Sequence, residues 1–170
     1  AGVAACGKHY PGHGHEYRDS HFSSTVNELT LEQWENSEKR VWDAVIASGV
    51  KSIMSAHTPC LCLDDSYARG VYRRPSSASK KVLDYLHRPM GFSGLTVTDA
   101  VSMKCLAAAF DHDDIYTECF HAGNDIVLFV HDDYLDVMEK AVQDGQVNMD
   151  RLDDSVERIL AFKQTLGLLD

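Results

Sequence analysis

The segment Lys8-His9-Tyr10-Pro11-Gly12-His13-Gly14-His15-Glu16-Tyr17-Arg18-Asp19-Ser20-His21 concentrates four histidines, a lysine, an arginine and two carboxylates. Pro11, Gly12 and Gly14 make it a rigid turn that runs on into a loop. Such a set can hold a polar ligand and move protons, because imidazole titrates near neutral pH and a neighbouring carboxylate orients it. Asp99 is the second candidate. It closes the run Leu95-Thr96-Val97-Thr98, where an aspartate either caps a helix or works as a carboxylate. Two plainer readings compete for residues 8–21. One is a polar surface loop. The other is a metal site, since His13 and His15 alternate and Cys60-x-Cys62 lies downstream, but Cys-x-x-Cys and His-Glu-x-x-His spacings are absent. No metal and no cofactor is expected.

The elements that must position these residues alternate along the chain. Val3–Cys6 reads as a first strand running into Lys8 and His9. Leu31–Ser48 reads as one helix, with Leu31, Trp34, Val41, Val45 and Ile46 near helical spacing and Gly49 as its C′ residue. Residues 52–57 form a second strand, ending at His57. Residues 79–86 form a helix capped by Ser77 or Ser79. Residues 95–99 form a third strand, residues 105–110 and 115–121 two helices, and residues 125–130 a fourth strand. Helices near 134–144 and 150–166 close the chain. This order predicts an α/β fold with parallel strands and crossover helices, the sheet being covered on both faces. Lys8 and His9, His57 and Asp99 all fall at C-terminal strand ends. Both a (β/α)8 barrel and an open doubly wound sheet build sites there. Gly12-His13-Gly14 is followed by a polar run and no helix opening, so a dinucleotide site is not indicated.

Composition narrows the classes. The chain has 170 residues, 44% hydrophobic and 25% charged, which is ordinary for one globular domain or part of one. No apolar run approaches the ~20 residues of a membrane-spanning helix, and no membrane association is expected. A net charge of −10 argues against nucleic acid as partner, since a phosphate-backbone binder needs a basic face. Five cysteines are few and odd in number, so no disulfide scaffold is expected and a reduced compartment is. No secretory signal precedes the first strand, and a cytoplasmic location is the expectation. Opening on Ala1 inside an apolar stretch suggests a piece of something longer.

Lys-His-Tyr-Pro-Gly-His-Gly at 8–14, Asp-Ser-His at 19–21 and Val-Thr-Asp-Ala-Val-Ser-Met at 97–103 together resemble glycoside hydrolase family 3. The nearest resemblance is to the β-N-acetylhexosaminidases that trim muropeptides in bacterial cell-wall recycling. Ile-Met-Ser-Ala-His at 53–57, Gly-Phe-Ser-Gly at 91–94, Ala-Gly-Asn-Asp at 122–125 and the run 151–160 extend it over most of the chain. The resemblance implies a (β/α)8 TIM-barrel type of fold. It implies a retaining glycosidase that removes non-reducing β-linked N-acetylglucosamine through a covalent glycosyl-aspartate. Asp99 matches the nucleophile, His21 the general acid/base on a loop, and Asp19 its partner. Lys8 and His9 match the pair that holds sugar hydroxyls. His57 has no matched role. The chemistry suits the residues: a histidine near pKa ~6.5 gives and takes a proton at neutral pH, although a loop-borne acid must close over its substrate.

The chain departs from the family pattern in three ways. His15 follows Gly-His-Gly where the family commonly has an aspartate, and Ala100 follows the nucleophile where a second aspartate is common. The third is length. A (β/α)8 barrel takes ~250 residues, and the four strands here match its last four. Residues 1–170 are therefore expected to be the C-terminal half of the barrel domain. The missing half-barrel, or a second copy, is then an expected partner besides the carbohydrate, and about 150 further residues are expected upstream. A family 3 β-glucosidase, a phosphorylase using phosphate in place of water, and a non-catalytic half-barrel are the alternatives. Asp111 to Asp114 and His131 to Asp133 read as helix caps. The five cysteines read as buried or free thiols, and Arg69, Arg73 and Arg74 as a solvated loop.

Overall fold

The computed structural model describes residues 3–13 and 25–169. Its centre is a four-stranded, wholly parallel sheet of β1 (Cys6–Tyr10), β2 (Ser52–Ser55), β5 (Leu95–Ala100) and β6 (Ile126–Leu128), in that spatial order. Between β1 and β2 lie α1 (Leu31–Asn36) and α2 (Glu38–Ala47). Between β2 and β5 lie a short hairpin, β3 (Tyr67–Ala68) and β4 (Tyr72–Arg73), and then α3 (Lys80–His87). Two helices, α4 (Lys104–Ala109) and α5 (His112–Ala122), link β5 to β6, and α6 (Tyr134–Gln143) and α7 (Met149–Thr165) follow. Among the described residues no helix is long and apolar enough to cross a membrane.

The first strand is displaced from the expected one. It runs Cys6–Tyr10, so Lys8 and His9 lie inside it, and Val3 is exposed. The anchor is Tyr10, which is fully buried and donates its hydroxyl to the Val82 carbonyl at 3.2 Å. Gly7 presses on α2, where a Cβ would meet Val45 at 3.0 Å and Trp42 at 3.3 Å. The single helix expected over 31–48 is two. Ser37 takes a non-helical conformation (φ −125°, ψ −86°) and bonds back to the Gln33 carbonyl through its hydroxyl at 2.6 Å. The bend lets two indoles converge. Both Trp34 and Trp42 donate Nε1–H to the carbonyl of Pro11, each at 3.0 Å. A capping box between Thr30 and Gln33 opens α1, and Gly49, at φ 79°, ends α2 as expected.

Helices cover the sheet face that carries Gly7, Ile53 and Thr96. Ile53 packs there with Trp42, Val82, Leu83 and Leu86. The face is also polar beneath its apolar cover: Ser55, Thr96 and Thr98 are fully buried. Asn124 satisfies one end of this layer, accepting from the Ser55 hydroxyl at 2.7 Å and donating to the Ser77 and Cys119 carbonyls. Asp125 satisfies the other. Its buried carboxylate accepts from Thr96 N, from the Ser155 hydroxyl and from Nε and Nη2 of Arg158, which fastens α7 to the sheet. Cover on both faces is the expectation from sequence, and the second face is the more open one. Met54 and Val97 are only half-buried there, and their neighbour in register, Ile126, is exposed.

The stretch around Arg69, Arg73 and Arg74 is a pinned hairpin, in contrast to the solvated loop expected. Arg69 pairs with Asp111 and Arg74 with Glu118, while Arg73 stacks over the Tyr67 ring and bonds the Asp65 carbonyl. Asp111 and Asp133 stand at the N-cap positions of α5 and α6, but neither makes a side-chain cap bond. Their carboxylates go to Arg69 and His112. Ser79, by contrast, does cap α3, accepting from Val82 N.

Candidate active site

Pro11 and Gly12 fix the turn that leaves β1. The two indole bonds hold the Pro11 carbonyl, and Gly12, at φ 141°, leaves no room for a Cβ against the carboxylate of Glu38. The Glu38 carboxylate is in turn held by the amide of Asn27 at 2.7 Å. Within β1 the pairing with β2 slips between Gly7 and Tyr10, so three steps on β1 match two on β2. This is a bulge, a device that re-aims side chains. Gly7 and Tyr10 both face the helices, and His9 turns to the opposite face. The Lys8–His9 and Tyr10–Pro11 peptide bonds are cis.

His9 thereby meets Asp99. Its Nε2 lies 3.6 Å from Asp99 Oδ2, with both side chains about one-quarter to one-third exposed (30% and 26%). The strands that carry them are not neighbours. Since β2 lies between, the two side chains reach across roughly two strand spacings, about 9.6 Å, over the C-terminal end of β2. The other Asp99 oxygen, Oδ1, accepts from Ala100 N at 2.8 Å. Asp99 caps no helix: α4 begins at Lys104, behind Met103. Lys8 precedes His9 in β1 and is exposed. Asp19 and His21 lie outside the described residues, as does His15.

His57, unassigned by sequence, sits directly beneath. It is buried, with Nε2 2.9 Å from the Ala100 carbonyl and Nδ1 2.7 Å from the Ser77 hydroxyl. A carbonyl only accepts, so Nε2 carries the proton. Burial lowers the pKa of His57 below its ordinary value. The Ala100 carbonyl and the charge of Asp99 work against that shift, and His9 adds to it. His57 is therefore a neutral donor to the residue after Asp99. The Ile-Met-Ser-Ala-His run marked its place at a strand end. Its partners come from residues 77 and 100, and no local pattern reveals them.

Of the thiols, Cys119 reaches this arrangement, its Sγ lying 4.0 Å from the Ser77 hydroxyl that meets His57. Cys60 and Cys62 face each other at 3.5 Å, and their hydrogen bond pushes the buried Cys60 up and Cys62 down. Burial raises Cys105 to about 11 and Cys119 to about 12. Among the described residues, no three or more of His, Cys, Asp and Glu come together in a way that could hold a metal ion. What the geometry does provide is a half-open carboxylate beside an imidazole at the C-terminal ends of parallel strands. That is the end where parallel βα folds place their sites.

Known proteins share both sequence and fold with this chain. It is 36% identical over 173 residues to a β-N-acetylglucosaminidase/β-glucosidase of Cellulomonas fimi, an alignment covering 98% of the chain and 31% of that protein. The solved structure of a glycoside hydrolase family 3 β-N-acetylglucosaminidase from a Paenibacillus species superposes with a TM-score of 0.86 at 29% identity, over 98% of this chain and 32% of that one. The β-glucoside phosphorylase BglX superposes with a TM-score of 0.89 at 28% identity, over 98% and 31%. The chain thus spans about a third of the length of such relatives. Residues 1–162 match the family model described as the glycosyl hydrolase family 3 N-terminal domain. With a parallel α/β sheet, and an acid–imidazole pair at its strand ends, the chain belongs to the glycosyl hydrolase family 3 N-terminal domain family.

Proposed function

We propose that the chain supplies the catalytic strands of a retaining glycoside hydrolase that removes non-reducing β-linked N-acetylglucosamine, with peptidoglycan-derived fragments as the substrate. The observation that carries this reading is the meeting of His9 with Asp99 at 3.6 Å. The names of the relatives, β-N-acetylglucosaminidase/β-glucosidase and β-hexosaminidase, support the sugar. In the first step Asp99 attacks the anomeric carbon and forms a glycosyl ester, while His21 gives its proton to the departing oxygen. In the second, His21 takes a proton from water, the hydroxide attacks the same carbon, and Asp99 leaves as carboxylate. Asp19 orients the imidazole of His21, and Lys8 and His9 hold sugar hydroxyls.

A second reading is favoured by the likeness to BglX. There phosphate would replace water in the second step, so that the product is a sugar 1-phosphate. The test is to trap the ester with a 2-fluoro sugar and then release it in water or in phosphate. The expected result is a label on Asp99 and free sugar in both. A label elsewhere overturns the mechanism, and a sugar phosphate turns hydrolysis into phosphorolysis.

The proposal extends to domain organisation. Residues 1–170 are read as the last four βα units of a (β/α)8 barrel, completed by a half that carries the other strands. The half-buried Met54 and Val97 and the exposed Ile126, side by side on one face, support this. In a closed barrel such residues fill the interior.

A further inference from the structure

We infer that His57 is a positioning residue for Asp99: it clamps the turn that aims the carboxylate. This rests on the reading of Asp99 as the nucleophile. Three hydrogen bonds converge on the peptide unit between Ala100 and Val101. Its carbonyl accepts from His57 Nε2 at 2.9 Å and from Met103 N at 3.1 Å, which uses both lone pairs. Its N–H donates to the Leu128 carbonyl at 3.0 Å. The next peptide N–H back along the chain, that of Ala100, holds Asp99 Oδ1. The carboxylate is therefore fixed by a backbone that is itself tied to β6 on one side and to the end of β2 on the other. His57 is the β2 tie.

The imidazole is suited to this. It is buried, both ring nitrogens are engaged, by the Ser77 hydroxyl and the Ala100 carbonyl, and its neutral form has one donor to give. Ser77 secures the tautomer at Nδ1, and Ser77 is secured in turn. Its N–H donates to the Ala56 carbonyl at 2.8 Å, and its carbonyl accepts from Asn124 at 2.7 Å. The chain Asn124–Ser77–His57–Ala100 thus runs from the start of β6 to the tip of β5. Freed from His57, the Ala100 carbonyl keeps only the Met103 bond. The turn then rotates, carrying Asp99 off line. Misplacement of a reacting group by about an ångström costs about 100-fold in rate.

Two amide replacements of His57 separate positioning from folding. A glutamine side chain is long enough to put its Nε2 in the place of the imidazole Nε2, whereas asparagine is too short and keeps only the Ser77 side. In the active enzyme that contains this chain, His57→Asn is expected to lower kcat about 100-fold with KM changed less than about threefold. His57→Gln is expected to restore kcat to within about fivefold of the parent, although both variants melt earlier by similar amounts. Amide exchange at Met103 should quicken in His57→Asn and not in His57→Gln. Equal loss of kcat in the two variants, or an unchanged kcat in His57→Asn, overturns the inference. Asp99→Asn is the control for the underlying reading. If it keeps full turnover, Asp99 is not the nucleophile, whatever the His57 variants do.

Discussion

Asp125→Asn exchanges one oxygen for an amide in a carboxylate that is shielded from water. The native Oδ1 accepts from Arg158 Nη2 at 2.7 Å, Arg158 Nε at 3.0 Å and Ser155 Oγ at 2.8 Å, while Oδ2 accepts from Thr96 N at 3.0 Å. Every partner is a donor. An asparagine turned with its oxygen toward Arg158 sets NH2 against the Thr96 N–H, and the flipped amide sets NH2 against the guanidinium. No orientation satisfies both. Loss of a hydrogen bond to a charged group costs about 1.5–3 kcal/mol, and a stranded buried N–H about 1–3 kcal/mol. Each orientation forfeits only one of the two, and the Arg158 side chain, 38% exposed, regains water, so the cost is about 1–3 kcal/mol. For a domain of this size that lowers Tm by about 2–12 °C. Urea unfolding followed by circular dichroism measures it, with Arg158→Ala and the double variant completing a cycle. The cost of Arg158→Ala should nearly vanish in the Asp125→Asn background. A loss below about 1 kcal/mol, or additive effects, would refute the account of how α7 is held.

Other consequences are as direct. His21→Ala should slow substrates with poor leaving groups far more than activated aryl glycosides, which need little protonation; equal losses would assign His21 to binding. Gly94→Ala puts a Cβ 2.5 Å from the Lys51 carbonyl and 2.7 Å from the Phe92 ring, so it should cost about 1–3 kcal/mol in unfolding experiments. Stability should be full above pH 6.5 and decline below it, because the unfolded chain takes up a proton at His57 that burial keeps off the folded one. Asp99 facing His57 moderates this decline and His9 deepens it. His57→Gln should flatten that part of the urea-midpoint profile, and an unchanged slope would show that His57 is not its source.

The site is legible in the sequence where chemistry and local pattern coincide. Asp99 ends an apolar strand and Gly49 lies just past the end of α2, so each can be placed from its neighbours; the sequence leaves the cap of α3 open between Ser77 and Ser79, and the bond from Val82 N assigns it to Ser79. Other features depend on contacts that no local pattern carries. The apolar signal of Val3–Cys6 is stronger than that of Cys-Gly-Lys-His-Tyr, yet Tyr10 reaching Val82 fixes the strand. The helical spacing from Leu31 to Ile46 runs through Ser37 without a break; the two tryptophans converging on Pro11 put the bend there. Strands of two residues, as in β3 and β4, have no period to detect. His57 is visible as a strand-end histidine, but its use depends on Ser77 and Ala100, which lie 20 and 43 positions away.

These distant contacts also explain why the sheet hides so many hydroxyls and amides behind an apolar cover. Packing among Trp42, Leu83 and Leu86 favours burial but is indifferent to small slides of one strand along the next. Hydrogen bonds are directional. Ser55 to Asn124, Thr96 to Asp125, Thr98 to Leu128 N and His57 to Ala100 each have a single position at which they form. A slip of one residue breaks them and strands buried polar groups at about 1–3 kcal/mol each. It also turns every side chain of β5 to the opposite face. Asp99 would then point into the helices, and Thr98 would face His9. The buried polar layer is thus what holds the carboxylate on the open face, at the height where His9 meets it.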